Sequence, residues 1–80
     1  MKIGLLWYDD SEMDLATKVQ EAAQRYEEKF GRRPNTCYVH PASLPEGEKA
    51  FSLNGMKVVT CPSTLPNHFW VGVQETPRST

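Results

Sequence analysis

No run of this sequence stays apolar for the roughly 18 residues that a membrane-spanning helix requires. Cysteine is scarce as well. Cys37 and Cys61 are the only two among 80 residues, so at most one disulfide can form, which excludes the dense disulfide frameworks of small secreted domains. There is no excess of charge of either sign: nine basic and ten acidic residues leave a net charge of −1. That balance lacks the electrostatic footprint of a dedicated nucleic-acid binder. A glycine-rich phosphate loop, an internal repeat and a low-complexity tract are all missing too. The opening apolar run ends in Asp9-Asp10 and is too short for a signal peptide. A reducing, cytoplasmic location is therefore expected.

What the chain does contain is patterned for one small domain, expected over residues 1–75 with 76–80 as a frayed tail. A chain of this length buries only about 60–65% of the surface its unfolded form exposes, so the core must be modest. Residues Lys2–Tyr8 are almost continuously apolar. Such a run marks a strand covered on both faces, and a central strand is expected here. Its two sides are Ile3, Leu5, Trp7 and Gly4, Leu6, Tyr8.

A helix follows, with Ser11 as the expected N-cap and Asp14 in the capping-box position. Leu15, Val19, Ala22, Ala23, Tyr26 and Phe30 recur at helical spacing and form one apolar stripe. Asp14–Lys18 and Glu21–Arg25 have the spacing of ion pairs on the wet side. Gly31 stands where a helix-ending residue belongs, and Arg32, Arg33 and Pro34 oppose continuation. The basic cluster around residue 32 is thus read as helix termination.

Residues 35–40 read as a second strand between Pro34 and Pro41, which completes a βαβ unit with parallel strands. Residues 41–49 read as loop. Asn54-Gly55 signals a tight hairpin between 50–53 and 56–61, and residues 68–74 read as the last strand. The fold class expected is α/β, α+β-like in arrangement. One long helix packs on a mixed sheet of about four or five strands, the βαβ unit being followed by antiparallel hairpins.

This arrangement leaves one face of the sheet short of cover. A single helix can pack on one side, yet the first and last strands are apolar on both. In the last strand Phe69, Val71 and Val73 alternate with Trp70 and Gly72. Within the chain only residues 41–53, with Leu44, Phe51 and Leu53, are available to cover the second face. The alternative is a second copy of the chain, since exposed apolar patches mark interaction sites and two-fold dimers are the commonest assembly.

Residues able to carry chemistry are few. Asp9 and Asp10 lie at the carboxyl end of the first strand, where open α/β sheets bind ligands, and a carboxylate pair there has the oxygen chemistry for Mg²⁺. The competing reading is that they share in capping the helix. The end of the first strand, Leu6-Trp7-Tyr8-Asp9, resembles that of a family of small CRISPR-associated nucleases. The arginine that family has early in the helix is absent here, as is its second-strand signature. Cys37, His40, Cys61 and His68 are soft or borderline ligands in the number zinc takes, but their spacing matches no familiar zinc pattern. Cys61 and His68 flank one connection, which suits a nucleophile and base, yet no acid is placed to orient the histidine.

Leu65-Pro66-Asn67-His68-Phe69-Trp70 is the most unusual stretch, a rigid turn running into an aromatic strand. The function expected is a non-enzymatic protein-interaction or oligomerising module. Its interaction face carries Trp70, His68, Tyr8 and Tyr38, and its partner is a second copy of the chain or another protein. Neither a membrane nor a nucleic acid is expected as partner, although aromatic platforms do bind single strands. No cofactor and no bound metal are expected. The runner-up is a small metal-dependent hydrolase or nuclease-like enzyme using Asp9, Asp10, His40 and His68. It requires the 56–61 strand to run parallel to the first, so that these residues gather at one sheet edge.

Overall fold

The computed structural model describes residues 4–45 and 47–74. Residues 2 and 3 of the expected first strand, and the expected tail, lie outside the described residues. One helix, α1 (Leu15–Phe30), packs on a sheet of five strands. These are β1 (Gly4–Tyr8), β2 (Thr36–Val39), β3 (Ala50–Leu53), β4 (Met56–Thr60) and β5 (His68–Gly72), in the spatial order β1-β5-β2-β4-β3. This is an α+β fold with a mixed sheet. Strand β2 pairs parallel with β4, and the other neighbours are antiparallel.

The helix starts later than the capping pattern predicts. Asp14, not Ser11, is the N-cap: its Oδ1 accepts from Thr17 N at 3.0 Å. The Thr17 hydroxyl foremost, then that N–H, holds the Asp14 carboxyl below its ordinary value. Residues 9–13 are taken up by a turn in which Asp9 Oδ1 accepts from Ser11 N and Ser11 Oγ from Met13 N. Short polar side chains compete with the helix in this way. The far end is as expected: Gly31 is left-handed at φ 79° and its N–H donates to Glu27 O. Among the described residues the one ion pair is Arg25–Glu28 at 3.7 Å, not either expected i,i+4 pair. Arg25 also lies over the Trp7 ring.

The expected βαβ unit is present, but β5 is inserted between its two strands. This corrects the expectation of a central first strand, because among the described residues β1 is an edge that pairs only with β5. A continuous apolar run normally means cover on both faces. Here it means cover on one face and exposure on the other. Asn54 and Gly55 join β3 to β4 with φ of 50° and 79°, both positive, as the tightest hairpin turns require. Asn35 fastens the far end of β5, its Oδ1 accepting from Gln74 N at 2.7 Å.

Strand register assigns every side chain to a face. Leu5, Val71, Cys37, Val58 and Phe51 stand in one row across the sheet. Together with Phe69, Val39 and Met56 they meet Val19, Ala22 and Tyr26 of α1 to form the core. Leu44 belongs to this core, and Phe51 and Leu53 pack against it. The three large apolar side chains of segment 41–53, Leu44, Phe51 and Leu53, are therefore spent on the helix side.

Tyr26 is nearly solvent-free and Val19 entirely so. Tyr26→Ala should cost about 3–5 kcal/mol through its cavity, and Val19→Asp should prevent stable folding by burying a charge. Glu27→Ala, on the wet side of α1, should change stability by less than about 0.5 kcal/mol. Thermal unfolding of the three variants checks this ordering.

Candidate functional site: the open sheet face

The face turned away from α1 is built by the alternate residues of the same strands. One row runs Leu6, Trp70, Tyr38, Val59, Ala50 across all five strands. Tyr8 and His68 stand opposite each other one step toward the carboxyl end of β1, with ring centroids 4.9 Å apart. The four residues expected on an interaction face, Trp70, His68, Tyr8 and Tyr38, thus share one face. The apolar half lies on β1, β5 and β2. Toward β3 the face turns polar, with Lys57 opposite Ser52.

Trp70 owes its position to a glycine. A Cβ on Gly4 would lie 3.0 Å from the Trp70 indole carbons Cε2 and Cζ2 and from Val71 O, closer than real contacts usually permit. The indole therefore lies over the bare backbone of the neighbouring strand and is half-buried. Gly72 sits opposite Gly4 and is buried, and the space at Gly4 is taken by Trp70 itself.

Beside the indole is a cavity of about 470 Å³. Leu6, Tyr38, Trp70 and His68 of the strands form one part of its wall, and the loop after β4 forms the rest with Cys61, Ser63, Thr64 and Leu65. Alternation alone points to Leu6. Its place across a connection from His68 points to Cys61. Ser63, Thr64 and Leu65 carry no such signal, because they reach the face only through a turn in which Thr64 N donates to Cys61 O and His68 N to Leu65 O. His68 Nδ1 lies 2.8 Å from Pro66 O. Since a carbonyl only accepts, that nitrogen carries the hydrogen and Nε2 is left as the acceptor of the neutral ring.

The two thiols lie in opposite environments. Cys37 is fully buried under α1, and desolvation pushes its thiol up to about 12. Cys61 opens on the cavity, with Sγ 3.4 Å from Ser63 Oγ. The Ser63 hydroxyl foremost, then the Ser63 N–H and the Thr64 hydroxyl, hold it below its ordinary value. Residues 62–67 do not close a hairpin, because β2 lies between β4 and β5. Cys61 and His68 nonetheless line the same cavity.

The residues of the metal-dependent reading are placed differently. Strand β4 is parallel to β2, and β1 and β2 are both antiparallel to β5, so β4 runs parallel to β1 as that reading requires. Asp9, Asp10, His40 and His68 all fall at one end of the sheet. Each then turns to a local partner. Asp9 Oδ1 accepts from Ser11 N, and the Ser11 hydroxyl foremost, then this N–H, lowers its carboxyl pKa. Asp10 accepts from Tyr8 Oη at 3.0 Å, which raises the phenol's pKa. His40 Nδ1 accepts from Ala42 N, and His40 lines a separate cavity with Leu15 and Lys18 of α1. Among the described residues, no three His, Cys, Asp or Glu side chains are grouped to hold a metal ion. Of the zinc set, Cys37 and Cys61 lie on opposite faces of the sheet.

Compared with known protein families, with curated proteins and with solved structures, the chain matches none of them. The face and its cavity carry the functional reading.

Because Trp70 rests on Gly4, Gly4→Ala should push the indole outward by a few tenths of an ångström. In a Trp7→Phe background the Trp70 emission should then move to longer wavelength, while far-ultraviolet circular dichroism stays unchanged. An unaltered emission would show that the indole does not lie there.

Proposed function

We propose that this protein is a non-enzymatic interaction module that pairs with a second copy of itself through the open sheet face. The observation that carries the reading is a cluster of large apolar side chains left in solvent. Leu6 is 57% exposed, Tyr8 55% and Leu65 64%, and they surround Trp70, Tyr38 and His68. Contiguous apolar exposure of this kind marks association surfaces, and aromatic residues are the usual anchors of such surfaces.

A second copy suits the face because the face is both knob and hole. Leu65 projects beside a cavity lined by Trp70 and Tyr38, so two faces related by a two-fold axis can each insert a leucine into the other. Contacts of this isologous kind close on themselves and leave no open end. The segment that could have covered the face from within the chain is engaged in the core. The near-neutral charge leaves no long-range repulsion to oppose pairing.

Light scattering across a concentration series tests this reading. The protein should pass from monomer to dimer, and Trp70→Ala should weaken the dimer about thirtyfold, as a loss of about 2 kcal/mol at a hot-spot aromatic does. Because Trp70 also packs within the chain, Leu6→Ser and Leu65→Ser serve as second variants on exposed positions. They should weaken pairing without lowering the melting temperature of the monomer. A protein monomeric at every attainable concentration would reject the proposal.

A further inference from the structure

The cavity on the open face has a chemistry that the pairing surface does not require. Its volume of about 470 Å³ lies in the range of small-molecule sites, about 300–1,000 Å³. Its lining holds two aromatic side chains, Trp70 and Tyr38, an imidazole and two leucines, and no Asp, Glu, Lys or Arg. A charged ligand would find no counter-charge there, whereas a flat neutral one would find ring faces to stack on. On one side of this apolar space the turn after β4 presents a single nucleophile, Cys61, flanked by the Ser63 and Thr64 hydroxyls.

We propose that the cavity is a binding site for a neutral aromatic small molecule, and that Cys61 captures covalently such a ligand when it carries a disulfide. The Cys61 thiolate attacks one sulfur of the ligand. The Sγ–S bond forms as the ligand's S–S bond breaks, and the second half of the ligand leaves as a thiolate with the electron pair and takes a proton from water. Cys61 is oxidised to a mixed disulfide and the leaving sulfur is reduced, so the ligand itself is the oxidant. The hydroxyl and N–H donors that lower the Cys61 pKa keep more of it as thiolate at neutral pH. Cys37, buried and raised to about 12, takes no part. This site goes beyond the pairing reading but uses the same cavity and the same Leu6, Leu65 and Trp70, so a ligand and a second copy of the chain compete for it.

The test uses dithiodipyridine, a neutral aromatic disulfide whose leaving group is coloured, against hydroxyethyl disulfide, which is neutral without rings. Protein is kept far below any concentration at which light scattering detects pairing, so the two readings fail separately. Release of the coloured product should be stoichiometric with one thiol, mass spectrometry should place the adduct on Cys61, and the rate should saturate with probe concentration. Trp70→Ala should raise the half-saturating concentration about tenfold, the loss expected for one stacking partner. Leu6→Ala, at an exposed wall position, should raise it by a smaller factor. The rate of each variant with hydroxyethyl disulfide gives its intrinsic thiol reactivity, and the loss with dithiodipyridine should exceed any change in that rate. A rate that stays linear in dithiodipyridine, an adduct on Cys37, or equal effects of Trp70→Ala on both probes would overturn the proposal.

Discussion

A lone amphipathic helix and a five-stranded sheet set the terms for everything else in this molecule. The stripe of α1 is wide enough to bury one face of the sheet, and the chain commits nearly all its core residues there. Strand alternation then forces the remaining side chains, Leu6, Tyr8, Tyr38, Val59, His68 and Trp70, onto the other face. Among the described residues no second α-helix is present to meet them. Among these residues the open face is thus the geometric remainder of one core built beneath one α-helix.

That remainder is not uniform, and its unevenness gives it character. Insertion of β5 between β1 and β2 brings Trp70 between Leu6 and Tyr38 and lays its indole over Gly4. The crossing from β4 to β5 carries the 61–67 loop to the end of the same strands. A cavity forms where the aromatic row meets that loop, with Cys61 and His68 in its wall. Were β5 at the edge and β1 in the centre, the indole would have a neighbour on one side only.

The helix stripe and the Asn54–Gly55 hairpin were legible in the sequence because each rests on local chemistry: apolar periodicity and positive φ. The four aromatic and histidine positions were legible because alternation is a property of any strand, whatever its neighbours. The edge position of β1 was not legible. Nothing in Gly4–Tyr8 tells which strand lies beside it, and an apolar run looks the same whether its second face is covered or bare. The helix start was misread because Ser11 and Asp14 both suit a cap, and only the Asp9–Ser11 turn decides between them. The cavity depends on the path of residues 61–67, a loop held by its own backbone hydrogen bonds, for which no pattern in residue type exists.

The central claim is that this chain has one covered and one uncovered sheet face, and that contact between molecules is made through the second. Side-chain methyl and aromatic NMR signals followed through a dilution series test it most directly. Shifts should be confined to Leu6, Tyr8, Tyr38, Leu65, His68 and Trp70, while Val19, Val58 and Val71 beneath the helix stay fixed. Concentration-dependent shifts centred on the outer surface of α1, with the open-face signals unmoved, would contradict it.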